Sequence, residues 1–228
     1  MRVVDLTQSP LRDLNAALHD LGADTNKTHW RVLNPRGQHA VAVGVDAPVL
    51  VEIEGHVGYY CAGMNKHATV VVHGNAGQGV AENMMSGQVQ VKGDASQAAG
   101  ATGCGGLLVI DGNASARCGI SMKGIDIVVK GSVGHLSAFM AQAGNLVVLG
   151  NAGEALGDSI YEACLYVRGD VRSLGADCVE KPMTDDDRAK LRTLLEAAQV
   201  SDVDPGAFRR YGSARKLYNF HIDNVGSY

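Results

Sequence analysis

The sequence predicts an all-β fold: a right-handed parallel β-helix of about seven 19-residue coils, with short terminal helices. Three observations predict it. Glycine recurs every 19 residues, at Gly55, Gly74, Gly93, Gly112, Gly131, Gly150 and Gly169. Aliphatic side chains stand four and two residues before each glycine, from Val51 and Ile53 in the first unit to Leu165 and Val167 in the last. Seven residues after each glycine comes alanine or glycine: Ala62, Ala81, Gly100, Gly119, Ala138, Gly157 and Ala176.

The period-two alternation before each glycine marks a strand with one buried face. A unit this short cannot bury that face alone. Stacked units bury it against one another, pairing their strands in parallel roughly 4.8 Å apart. After the glycine come His56, Asn75, Asp94, Asn113, Ser132, Asn151 and Asp170, which carry turn chemistry. The seven glycines are therefore read as structural turns, where a positive φ costs glycine nothing. A phosphate-binding loop, the functional reading of VVHGNAGQGV at 70–79, would occur once and lead into a helix. A left-handed β-helix would show an aliphatic beat every six residues; none is visible, which favours the right-handed form.

The ends are read as caps, with residues 1–46 an N-terminal helix and capping strands, 47–182 the repeat domain, and 183–228 a C-terminal helix and docking tail. Residues 9–22 predict a helix, with Ser9 as N-cap, Pro10 in the first turn and Gly22 closing it. Leu11, Leu14, Leu18 and Leu21 share its apolar face. Residues 28–46 predict a hairpin-like lead-in turning at Asn34-Pro35-Arg36-Gly37, or a divergent first coil. Residues 184–200 predict a second helix with Thr184 and Asp187 as a capping box and Leu191, Leu194 and Leu195 facing the column flank. The last 21 residues join Arg209, Arg210, Arg215 and Lys216 with Tyr211, Tyr218, Phe220 and Tyr228. Arg and Tyr are favoured interface anchors. Arg209, Arg210, Tyr211, Arg215, Lys216, Tyr218 and Phe220 are thus candidates for subunit docking; the other reading is a tail folded onto its own domain.

Hydrophobic residues at 46% allow a substantial core, and a charged fraction of 19% argues against disorder. A net charge of −4 does not suit a general nucleic-acid binder. The start lacks an apolar signal core, and no apolar run reaches membrane-spanning length, so a soluble cytoplasmic protein is expected. The five cysteines show no C-x-x-C pair, which disfavours a disulfide framework. Cys61 and Cys118 share a repeat phase three coils apart, roughly 14 Å at the usual strand spacing and too far to bridge. Cys104, in ATGCGG, is the most exposed-looking thiol, and an iron–sulfur site in this chain is disfavoured. No H-x-x-x-H, H-E-x-x-H, G-x-S-x-G, P-loop or dinucleotide fingerprint occurs. No catalytic, cofactor-binding or metal-ligating residue is expected.

The seven glycine turns and the tail SARKLYNFHIDN carry a family resemblance. Over roughly residues 45–182 the chain resembles the C-terminal β-helix domain of the glutamate synthase large subunit. As a whole it looks like the small β-helix subunit of N-methylglutamate synthase and related three-subunit glutamate synthase-like enzymes. The C subunit of formylmethanofuran dehydrogenase is a more distant relative of the same fold. The G-x-G-x-G label of that family is not met strictly: the turns read G-x-x-G at Gly55/Gly58, Gly74/Gly77, Gly131/Gly134 and Gly150/Gly153. The resemblance implies a non-catalytic structural subunit of a hetero-oligomer without membrane or nucleic-acid partners. One partner would be a class II glutamine amidotransferase-like subunit carrying N-terminal cysteine chemistry. The other would be a synthase-like subunit holding FMN and an iron–sulfur cluster. The implied reaction converts glutamate and methylamine to N-methylglutamate and ammonia. The alternatives are the equivalent subunit of a glutamate synthase or formylmethanofuran dehydrogenase-type complex, and a stand-alone β-helix binding module.

Overall fold

A computed structural model describes residues 1–26 and 28–215. Lys216, Tyr218 and Phe220 lie outside the described residues. The parallel strands are β1 (Arg2–Asp5), β2 (His29–Leu33), β3 (Leu50–Glu54), β4 (Thr69–Val72), β5 (Gln88–Val91), β6 (Leu107–Ile110), β7 (Lys123–Val129), β8 (Ala143–Val148) and β9 (Cys164–Val167). Each pairs with the next, and from β3 to β9 the register steps by 19: Val51 opposes Val70, then Val89, Leu108, Ile127, Leu146 and Leu165. The result is a parallel β-solenoid of about seven turns, built by the predicted repeat.

The two inward rows are sealed. Val51, Ile53 and their equivalents through Leu165 and Val167 are all fully buried, and Trp30 and Val32 continue the rows into β2. Two residues past each turn glycine a second, narrow strip of parallel bridges links Val57, Ala76, Ala95, Ala114, Val133, Ala152 and Val171. The coil then bends through alternate left-handed residues. In one coil these are Arg117, Gly119 and Ser121, with φ of 59°, 68° and 51°; in the next they are Leu136, Ala138 and Met140, with φ of 54°, 58° and 52°. Their N–H groups point alternately up and down the stack. Ala138 donates back to Cys118 O at 2.7 Å, while Leu136 and Met140 donate forward to Glu154 O and Asp158 O, each at 2.8 Å. The middle position is both left-handed and buried in six successive coils, which explains its restriction to alanine and glycine.

The turn glycines have a different cause from the one expected. Of the seven, only Gly55 has a positive φ. The others are needed because the coils approach too closely for a side chain. A Cβ on Gly74 would stand 2.7 Å from the Gly55 carbonyl carbon, and one on Gly131 would stand 2.6 Å from Gly112 O. That approach lets the next residue build a ladder. Asn75 Oδ1 accepts the Asp94 N–H, Asp94 Oδ1 that of Asn113, Asn113 Oδ1 that of Ser132, Ser132 Oγ that of Asn151, and Asn151 Oδ1 that of Asp170, all at 2.7–3.0 Å.

The N-terminal end is closed by α1 (Leu11–His19), which buries Leu14 and Leu18 in the core. Its N-cap is Pro10 and makes no side-chain cap bond, contrary to the Ser9 expectation; its C-cap is Asp20, before Gly22. Residues 28–46 are a divergent first coil and not a hairpin, since β2 runs parallel to both β1 and β3. This coil has left-handed residues at Ala40, Ala42 and Gly44, but no coil precedes it there. Asn15 takes that place. Its Oδ1 accepts the Ala42 N–H at 3.1 Å and its Nδ2 donates to Ala40 O at 2.9 Å. One coil on, the equivalent Ala62 N–H finds Val41 O.

At the other end β10 (Cys178–Lys181) does not meet β9. Strand β11 (Arg209–Ser213) inserts antiparallel between them, with Tyr211 opposite Leu165 on one side and Glu180 on the other. Between β10 and β11 lies α2 (Asp185–Ala197), with the predicted capping box between Thr184 and Asp187. Leu191, Leu194, Leu195 and Ala198 pack with Phe208 on the outer sheet face, against Val109, Val128, Val147 and Tyr166. No helix among the described residues is long and apolar enough to cross a membrane.

Candidate functional site

The densest buried polar chemistry lies where α2, β9 and β11 meet. Asp187 sits at its centre, 9% exposed. Its Oδ2 accepts hydrogen bonds from the Thr184 hydroxyl at 2.6 Å and the Thr184 N–H at 3.0 Å. Its Oδ1 accepts one from the Tyr166 hydroxyl at 2.9 Å. Arg210 Nε lies 2.9 Å from the same oxygen, as an ion pair and not a directed hydrogen bond. Arg210 Nη2 is 3.4 Å from Cys164 Sγ. Burial opposes the Asp187 charge, yet the Thr184 hydroxyl and N–H, the Tyr166 hydroxyl and Arg210 together hold its carboxyl below the usual range. Burial first, then Cys164 and Asp187, push the Tyr166 phenol well above its usual value. The cluster is a junction of three chain segments, and each partner holds another in place.

This junction uses part of the expected docking set. Tyr211 is buried in the core at 2% exposure, and Arg210 is engaged with Asp187 and Cys164. Neither is a surface anchor, because β11 completes the sheet. Arg209 donates to Gly169 O at 2.9 Å and stacks over the Tyr211 ring. Arg215 pairs with Asp177 at 2.6 Å. Tyr166 and Asp187, which join these residues, were missed as a pair; the sequence signal was an aromatic in the outward row of β9 opposite a capping acid.

A second polar region covers the outer face of β2–β7. Glu52 bridges His29 Nε2 at 2.7 Å and His73 Nε2 at 3.2 Å, and these two bonds lower its pKa. Arg31 pairs with Glu54 at 2.8 Å. Asp111 is held between Lys130 at 2.8 Å and Lys92 at 3.4 Å. Burial opposes the Asp111 charge, but Lys130, Gln90 and Lys92 keep its pKa low. These charges answer one another along the sheet.

Apart from Cys164, which faces Arg210, the thiols stand outside these polar groups. Cys61 and Cys118 are fully buried, and burial raises both to about 12; burial raises Cys178 to about 11. A thiol so raised is a poor nucleophile and a poor ligand. Cys104 is exposed, as its sequence context suggested. Among the described residues, no three His, Cys, Asp or Glu side chains come together as metal ligands.

No family model matches the chain. The chain is 65% identical, over all 228 residues and the full length of both proteins, to Protein GlxC of Rhizobium meliloti (strain 1021). With that identity over the full length, the chain belongs to the family of Protein GlxC.

Proposed function

We propose that this chain is a non-catalytic structural subunit of a glutamate synthase-like flavoenzyme complex, and specifically of an N-methylglutamate synthase. The observation that carries the proposal is the 19-residue coil pattern, which resembles the glutamate synthase β-helix domain, in a chain that matches Protein GlxC over the full length of both. The way the polar groups are used supports it. The charged rows on the outer face and the Asp187 junction bind the chain to itself. A stack closed by α1 at one end and by β11 and β10 at the other is suited to hold two larger subunits at a fixed separation. Under this proposal FMN and the iron–sulfur cluster belong to the synthase-like partner. The nucleophilic cysteine belongs to the class II amidotransferase-like partner.

The test is genetic and enzymatic. Deleting this chain should abolish N-methylglutamate formation from glutamate and methylamine in cell extracts, and adding back the purified chain should restore it. Unchanged formation in the deletion strain would refute the proposal. Loss of ammonia-dependent glutamate formation instead would assign the chain to a glutamate synthase.

A further inference from the structure

Strand register at the C-terminal end of the sheet gathers unlike residues around one thiol. Tyr166 of β9 lies opposite Arg210 of β11, and Arg210 lies opposite Lys181 of β10. The same ladder brings Gly212 beside Cys164, which stands two residues before Tyr166 and on the same outer face. Cys164 is partly exposed, and Arg210 directs Nη2 at its Sγ from 3.4 Å. Gly212 leaves the place beside the sulfur open: a Cβ there would meet nothing nearer than 3.8 Å. Two of the three nearest atoms are Cδ and Cε of Lys181, one bond short of its ammonium. Among the described residues, Lys181 makes no ion pair. A thiol, a directed guanidinium and an unpaired ammonium thus surround one small opening.

We infer that Cys164 is a site of reversible thiol–disulfide exchange, and that its co-reactant is a small disulfide carrying carboxylates. The inference is independent of the subunit role proposed above. Reactive thiols sit in electropositive, partly exposed surroundings, since the attacking species is the thiolate. Cys61, Cys118 and Cys178 are buried. Cys104 is exposed, but its sulfur donates to the Thr102 carbonyl and, among the described residues, receives no N–H from a cation. At Cys164 the guanidinium supports negative charge on the attacking sulfur, and Lys181 draws the carboxylates of the incoming disulfide. In the step, Cys164 gives its proton to water and its sulfur attacks one sulfur of the disulfide. The new S–S bond forms as the old one breaks, and the other half leaves as a thiolate. The anionic adduct then competes with Asp187 for Arg210, which ties the modification to the junction.

The test treats the full-length chain, native near neutral pH and at low salt, with dithiobis-nitrobenzoate as the anionic disulfide and cystamine as a cationic one. Peptide mass analysis reads the rate at each cysteine. Exposure alone ranks Cys104 ahead of Cys164. The site predicts the reverse for dithiobis-nitrobenzoate, with Cys164 faster by about tenfold, and no such lead for cystamine. Lys181→Glu should slow the anionic reagent at Cys164 by about threefold or more and leave Cys104 unchanged. Wild type gives a second readout that needs no variant: raising salt to about 0.5 M should remove most of the lead. Cys104 modified first by both reagents overturns the inference. So does a lead of Cys164 that is equal for the two reagents, or one that neither Lys181→Glu nor salt reduces.

Discussion

Replacing Asp187 with alanine should release the whole C-terminal cap. The carboxylate is the shared acceptor for Thr184, Tyr166 and Arg210, so the change removes three hydrogen bonds and one ion pair together. It also leaves the Arg210 guanidinium, 21% exposed, without its counter-charge and the Tyr166 hydroxyl without its acceptor. Removing one partner of a buried pair costs about 3–5 kcal/mol, most of it from the charge left behind. Loss of the capping box adds about 1 kcal/mol at the start of α2. Asp187→Ala should therefore be destabilised by roughly 3–5 kcal/mol in urea unfolding, since the cap and junction contributions overlap. Asp185→Ala, two residues earlier and fully exposed, should change stability by less than about 1 kcal/mol. Hydrogen exchange should show α2 and β11 losing protection together while β3–β6 keep theirs. An Asp187→Ala protein within about 1 kcal/mol of wild type would refute the reasoning.

Three further predictions follow from the stack. Gly131→Ala places a methyl group against Gly112 O and the Asn113–Ser132 rung, so it should cost about 1–3 kcal/mol in urea unfolding although its φ suits alanine; a neutral result would show that the coils separate easily. Asn15→Leu leaves the Ala42 N–H and the Ala40 carbonyl unpaired at the first coil, and should cost about 1–3 kcal/mol and speed exchange at Ala42. The pH dependence has a definite sign. Asp111 and Asp187 titrate below the usual carboxylate range, so their contribution is complete above about pH 4 and is lost as pH falls through their lowered values. Glu82, raised by burial, acts in the opposite direction with a single partly exposed group. Stability should hold from pH 7 to 5 and fall steeply below 4, and Asp187→Asn should flatten part of that fall; a protein equally stable at pH 7 and 2.5 would contradict it.

The repeat was legible because each phase answers to one physical demand. Val51, Ile53 and their equivalents are inward strand positions, and the alanine and glycine row is small because it is both buried and left-handed. The α2 capping box was equally plain, since Thr184 and Asp187 satisfy each other within four residues. What escaped depended on contacts between distant segments. The turn glycines looked like positive-φ corners, but close approach of the neighbouring coil is invisible to local spacing. The lead-in resembled a hairpin because Asn34-Pro35 marks a turn without saying which strand comes next. Of the candidate docking residues, Arg209, Arg210 and Tyr211 lie in β11, which pairs with a strand 44 residues earlier, Arg209 lying opposite Val167 at one end of the ladder and Tyr211 opposite Leu165 two residues on. One missed signal was within reach. The outward row changes from Glu52, Val71 and Gln90 to Val109, Val128, Val147 and Tyr166, the footprint of α2 written into the strands it covers.

The central claim is that this chain works as a structural subunit among larger flavin- and cluster-bearing subunits. The most direct measurement is a mild affinity purification of the chain from its native cell, followed by native mass determination and a visible spectrum. The account predicts a hetero-oligomer with two further polypeptides and a flavin absorbance that leaves with the larger one on dissociation. A colourless chain of its own mass, or of a simple multiple of it, would contradict the claim.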